Sequence, residues 1–420
     1  MRERLLMRPL PRYRLYADAA MYRGCLTALA LGRATRGEDD QRLEEAMKTR
    51  TGATHAICMP SATAAMFLVL RTVVRPGQKV ILSPYTISDV VNMVLCADAI
   101  PVFADIDRAT CHIRTAELER LLDRDVGGVI VTHLHGCACE MDDVVALCRA
   151  RGVPVIEDAA QAFGARHRGR AVGTFGDAGI FSFWMYKNVN AFLGGMVITS
   201  RSDLHERLRR EVHSLPYQDR GAYMRHVLFG LLTDVATLPS VFARVTFPLF
   251  RLAYLHDVKG LNRLVSVEMT PTRKAALPDG TLRRMLPLQA RLILSQLARV
   301  DADSDRRIAF ARIYYDGLKD IPELIVAPWH DDRSHIYTYF PVQSRDRTAL
   351  LRWMMRRGCD VAASHLKNLA DLPAFAPFRR ECPNARATAE GLILLPTYPR
   401  YSERDVRRNI DAIRDFFSRV

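Results

Sequence analysis

The chain reads as an α/β protein, with a mostly parallel central sheet in a large domain and a smaller C-terminal α+β domain. Three observations predict this. Short apolar runs alternate with helical patterns over residues 53–200. That texture breaks at residue 201 and returns in another form from about residue 321. The length, 420 residues, exceeds what one compact core usually holds.

In chain order, residues 1–50 form an N-terminal arm and a helix, with Asp39 to Arg50 rich in polar helix formers. Strands are then expected at Val80–Leu82, Ile100–Phe103, Gly128–Val131, Val153–Ile156, Ile180–Phe183 and Met196–Thr199. Helices are expected between several of them, at Ala62–Val74, Thr115–Leu122 and Met141–Arg151. Runs apolar throughout suit strands covered on both faces, as in parallel sheets. Sites in such sheets lie at the carboxyl ends of strands.

Residues 201–283 interrupt the pattern and read as a helical, apolar insertion. Within it, about 226–256 is strongly apolar but carries Asp234, Arg244, Arg251, Pro239 and Pro248. Its longest uncharged run, Val235–Ala243, is far short of the roughly 20 residues a spanning helix needs. The expectation is a segment buried at a subunit or domain interface. Its apolar faces and basic flanks leave a peripheral membrane contact open. Residues 284–318 read as one long amphipathic helix, with Leu288, Leu292, Leu294, Leu297 and Val300 at helical spacing. Beyond it come Ile336–Val342, Arg347–Arg357, Ile393–Leu395 and Ser402–Phe417. The expected division is 1–283 and 284–420.

Sixty basic residues against 46 acidic give a net charge of +14, and only seven of the basic residues are lysines. The arginines are interspersed with Asp and Glu, without a basic stripe or aromatic alternation. That pattern sets nucleic acid aside and favours an anionic small substrate. Nine cysteines, with no apolar leader in residues 1–16, lead to the expectation of a reducing cytoplasm and free thiols.

Two signals carry chemistry. The run Val153–Ile156 ends in Glu157-Asp158-Ala159-Ala160-Gln161. Phe181-Ser-Phe-Trp-Met-Tyr-Lys-Asn188 then places Lys187 just past another strand. Asp158 alone could be a helix cap, and Lys187 alone a surface lysine. Together they suit pyridoxal phosphate. A desolvated lysine condenses with the aldehyde, while a carboxylate keeps the pyridine nitrogen protonated. The cluster His133-x-His135-Gly-Cys137-x-Cys139 lacks the spacing of structural zinc sites, so no metal is expected.

These runs, with Gly173-Thr-Phe-Gly-Asp177 and Gly194-Gly195, resemble the DegT/DnrJ/EryC1/StrS sugar aminotransferases, which have the fold-type-I pyridoxal-phosphate transferase fold. Ser61-Ala-Thr-Ala-Ala-Met66 is similar to their phosphate turn. Pro101–Asp107, His133–Gly136, a linking helix over Met285–Arg307 and Leu394–Pro399 match further stretches. The resemblance implies that Lys187 binds the cofactor covalently and shuttles a proton, with Asp158 on the pyridine nitrogen. It implies Gln161 on the ring hydroxyl, Ala62, Thr63 and Ser182 on the phosphate, and Asn188 close by. His133 and Trp184 would line the substrate pocket.

At four positions the chain departs from the family. Ala62 replaces a glycine, Ile87 stands where an aromatic ring usually stacks (with Tyr85 a substitute), Leu193 replaces an acidic residue and Leu282 an asparagine. The implied activity is transfer of an amino group from glutamate or glutamine to a ketosugar, nucleotide-linked, or a cyclitol, by a cytoplasmic homodimer. The departures leave a second reading, a catalytically reduced member serving as a structural or regulatory partner in a biosynthetic or envelope complex.

Overall fold

The computed structural model describes residues 8–257 and 271–419. Residues 1–7 of the expected arm, residues 258–270 of the expected insertion, with Lys259, and residue 420 lie outside the described residues.

Seven strands form the central sheet: β1 (His55–Met59), β2 (Lys79–Leu82), β3 (Ile100–Phe103), β4 (Val126–Thr132), β5 (Val155–Asp158), β6 (Ala178–Ser182) and β7 (Gly195–Thr199). Their spatial order is β1-β7-β6-β5-β4-β2-β3. The ladder from β3 to β6 is parallel, and β7 runs against both neighbours. The two inner strands β5 and β6 are buried at every position, which is why they read as unbroken apolar runs.

Alternate side chains go to opposite faces. Val80, Leu82, Ile130, Ile156 and Ile180 pack under the helices Ala62–Val73 and Ser202–Ser214. Ile81, Val129, Val131 and Val155 pack under Thr115–Leu121 and Met141–Ala150. Burying each such side chain stabilises the fold by roughly 1.5–3 kcal/mol. The pattern missed β1 and the helix Ser88–Cys96.

A second sheet is antiparallel: β8 (Leu324–Val326), β9 (Phe340–Ser344), β10 (Ala362–Ala363) and β11 (Leu392–Leu395), in the order β8-β9-β11-β10. Helices Val300–Leu318, Arg347–Arg356 and Glu403–Phe417 pack on it through Tyr314, Leu350 and Ile413. We propose to keep the division at 283/284, although Arg284 still bonds back to Pro216 and Gln218.

Two expectations need correction. The strand over Ile336–Val342 begins only at Phe340. Ile336 and Thr338 instead bond to Gly136 and Gln161 of the first sheet's loops. The single helix over 284–318 is two helices, Pro287–Leu294 and Val300–Leu318, with a 3-10 turn at Leu297–Arg299. The break frees Gln296, whose amide bonds both the N–H (3.0 Å) and the C=O (2.7 Å) of Asn190. The apolar insertion is helical, as Arg220–Ala236 and Pro239–Leu255 bent by 57°, and on the single chain much of its apolar surface is exposed, a face open to a partner.

Candidate active site

The site forms where the carboxyl ends of β5 and β6 meet the turn after β1. Residues 157 and 158 are neighbours on β5, so they point to opposite faces. Glu157 points into the fold and is fully buried. One carboxyl oxygen accepts from the N–H groups of Phe175 (2.6 Å) and Gly176 (2.7 Å). The other accepts from Gly173 N–H (2.7 Å) and lies 3.1 Å from His133 Nε2. This is why Glu157 and the Gly173–Asp177 run occur together. Gly176 is required because a Cβ there would lie 2.5 Å from Val155 O.

His133 is therefore not offered to a pocket. Its Nδ1 accepts from Cys139 N–H at 3.0 Å, which leaves the proton on Nε2 to donate to Glu157. With no exposed surface, it is a core histidine behind the site, against the expected pocket role.

Asp158 points the other way. One oxygen, Oδ1, accepts from Ala160 N–H at 3.1 Å, and Oδ2 has no partner among the described residues. Lys187 stands in the turn after β6, its N–H bonded to Trp184 O at 2.9 Å. Its ammonium has no hydrogen-bond or ion-pair partner among the described residues. Burial lowers the lysine's affinity for its proton below the ordinary value, and the charge of Asp158 opposes this. Burial raises the carboxyl of Asp158, against Ala160 N–H, Lys187 and His133. Each charge feels the other, yet no hydrogen bond or ion pair joins them among the described residues.

The turn expected to hold the phosphate follows β1. Ser61 caps the helix Ala62–Val73, its Oγ accepting from Ala64 N–H at 3.1 Å. Among the described residues the N–H groups of Ala62 and Thr63 have no hydrogen-bond partner, as first-turn amides do. Register places Met59, Gly195 and Ser182 in one row across β1, β7 and β6. A Cβ on Gly195 would sit 2.4 Å from the Ser61 carbonyl carbon, so glycine lets the turn rest on β7. Free amides at a helix N-terminus, with the Thr63 and Ser182 hydroxyls nearby, make a suitable cradle for a dianion.

Gln161 Oε1 accepts from His135 N–H at 3.0 Å, and its amide nitrogen has no hydrogen-bond partner among the described residues. Asn188 is buried and donates to Phe163 O at 3.1 Å, which fixes the lysine turn rather than reaching outward. Trp184 lies edge-on to His226 at 5.2 Å. Tyr85, the expected substitute for a stacking ring, is fully buried with its hydroxyl on Ser364 at 2.7 Å, so it does not serve. Ile87 is 43% exposed at the start of Ser88–Cys96. Leu282 packs on the main core and Leu193 O accepts from Gln289.

Sequence reasoning missed His365 and read His135 only as part of a metal-like cluster and a family-like stretch. His365 is brought to the site by a short ribbon in which Lys367–Asn368 pairs with Tyr85–Thr86. Surrounding protein, then the charge of Lys187, lowers it to about 4. Water still reaches His365, as expected for a cleft. His135 is buried in a left-handed conformation and lowered to about 3, by burial and then by His365. A separate cavity of about 230 Å³, lined in part by His112, Arg114, His330 and His335, includes neither Lys187 nor Asp158. No group of three or more His, Cys, Asp or Glu is arranged for a metal among the described residues.

A profile of the DegT/DnrJ/EryC1/StrS aminotransferase family matches residues 17–237 and 255–414. The chain belongs to this family. It is 30% identical over 401 residues to the spore coat polysaccharide biosynthesis protein SpsC of Bacillus subtilis strain 168, covering 92% of each chain. Two solved structures share the fold. Helicobacter pylori PseC, an aminotransferase involved in the biosynthesis of pseudoaminic acid, is 20% identical with TM-score 0.76, covering 98% of this chain and 100% of its own. S. venezuelae DesV, solved in complex with a ketimine intermediate, is 24% identical with TM-score 0.73, covering 96% of this chain and 95% of its own. The fold is thus that of the fold-type-I sugar aminotransferases. Family members act on sugars with amino donors.

Proposed function

We propose that this chain is a pyridoxal-phosphate-dependent aminotransferase. It would move an amino group from glutamate or glutamine to a ketosugar, nucleotide-linked, or a cyclitol, in deoxyaminosugar, surface-polysaccharide or natural-product biosynthesis. The observation that carries this reading is the Asp158–Lys187 pair, two groups whose charge burial opposes and which feel each other with no hydrogen bond or ion pair between them among the described residues.

Pyridoxal phosphate, when bound, supplies a ring that accepts electrons from a carbon bearing the amino group. The protein's part follows from its residues. Asp158 Oδ2 would accept the pyridine N–H and hold that nitrogen charged. Amides of Ala62 and Thr63, with the Thr63 and Ser182 hydroxyls, would bind the phosphate. The amide nitrogen of Gln161 would donate to the ring oxygen. Lys187 Nζ, eased toward its neutral form by burial, would act as the base and acid that moves the substrate's proton. His133, through Glu157, holds the end of β5 in place, and Asn188 holds the lysine turn.

A homodimer in the cytoplasm is part of the same proposal, since two-fold pairs are the commonest oligomer. The test is kinetic. Purified protein supplied with the cofactor, glutamate and a panel of nucleotide ketosugars should give parallel double-reciprocal lines with one of them. A sequential pattern contradicts the reading. A folded protein that shows no cofactor absorbance at saturating pyridoxal phosphate supports the structural-partner alternative instead.

A further inference from the structure

Among the described residues, twelve large apolar side chains stand well exposed, and eight lie between Leu228 and Leu252. Single exposed apolar residues are ordinary, but a cluster marks an interaction surface. On Arg220–Ala236 they are Leu228, Phe229, Leu232 and Val235; on Pro239–Leu255 they are Val245, Leu249 and Leu252. Each set recurs at helical spacing and so forms one stripe.

The opposite faces are anchored. On the first helix, Tyr223 donates to Ala191 O at 2.9 Å, and Gly230 lets Phe192 approach closely. On the second, Phe242 and Phe247 pack with Met355, and Arg352 donates to Leu255 O at 2.8 Å. The outward stripe is therefore what remains after the hairpin has been fixed to the body.

The family profile skips residues 238–254, so the second helix is an addition of this chain to the shared fold. Charge says what it meets. Arg220, Arg225, Arg244 and Arg251 are exposed, and Arg225, Arg244 and Arg251 have no ion-pair partner among the described residues. The one acid between residues 220 and 256, Asp234, is buried against Tyr22 (3.0 Å) and Arg14 (3.5 Å). A second copy would bring cations against cations, because a two-fold interface is self-facing. A layer of anionic headgroups over hydrocarbon complements both the apolar stripe and the arginines. No single helix among the described residues is long and apolar enough to cross a membrane.

We propose that the helical hairpin 220–255 docks this protein flat on an anionic lipid surface. Because His226 on the first helix packs against Trp184, the docked helix also walls the lysine turn. The reaction would run at the lipid surface.

The test is flotation of the full chain with vesicles of phosphatidylcholine, with or without phosphatidylglycerol. The chain should float with the phosphatidylglycerol vesicles and only weakly with phosphatidylcholine alone. The triple variant Phe229→Ser, Leu232→Ser, Leu249→Ser should stay in solution at unchanged Tm, because these side chains face outward. Arg225→Gln with Arg244→Gln and Arg251→Gln should lower partitioning on the order of a hundredfold. Lys187→Ala should float like the parent, which separates this proposal from the catalytic one. Absence of flotation by the folded chain overturns the proposal. So does equal flotation of the serine variant, or light scattering in which that variant splits a dimer into monomers.

Discussion

Burial works against the charge of both Lys187 and Asp158. A Lys187→Ala variant is expected to fold and lose turnover. Asp158→Asn keeps the shape but loses a charge-assisted hydrogen bond. Cofactor affinity should fall about 10- to 100-fold, from roughly 1.5–3 kcal/mol, as read by titration of cofactor absorbance. His135 and His335 make a pH prediction. Both are buried and lowered to about 3 from an ordinary 6.5, chiefly by burial. As pH falls below 6.5 the unfolded chain takes up these protons first, so stability held above that pH is lost between 6.5 and 3. Urea unfolding should show His135→Asn flattening this slope by about 1.4 kcal/mol per pH unit, and an unchanged slope would contradict it. Asn suits the left-handed backbone of residue 135. Lys187 and Asp158 were legible because each ends an apolar run. His365 was not, because a strand pairing 178 residues further along the chain delivers it, and no local spacing records that.

Elements place these residues. The inner strands were readable from sequence because both faces are buried. Edge strand β1 was not, and begins at a half-exposed His55. The long linking helix was misread because Leu294 and Leu297 keep helical spacing across a break. Gln296 shows why the break exists. Its amide replaces the ladder and ties the helix to Asn190, three residues past the lysine. Gln296→Ala leaves the N–H and C=O of Asn190 buried without partners, at a cost of about 1–3 kcal/mol each. The variant should unfold at lower urea and bind the cofactor less tightly, and unchanged urea midpoints would argue against this role. The insertion's helical character was legible from its composition. Its open face was not, since composition does not tell which side meets the body.

At the scale of the molecule, the site draws on both sheets. Thr338 bonds Gln161 and the ribbon at Lys367–Asn368 carries His365. Sequence texture gave two regions but not this meeting. The proposed homodimer predicts a scattering mass twice the 47.5 kDa of one chain, and a monomer at all concentrations would exclude shared sites. The central claim is that one lysine among seven closes on the cofactor beside Asp158. Its most direct measurement is borohydride reduction of the full chain saturated with pyridoxal phosphate, followed by peptide mass mapping. The account predicts the reduced cofactor on the peptide containing Lys187 and on no other. Attachment at Lys48, Lys274 or Lys319 instead, or no attachment to the folded protein, would contradict it.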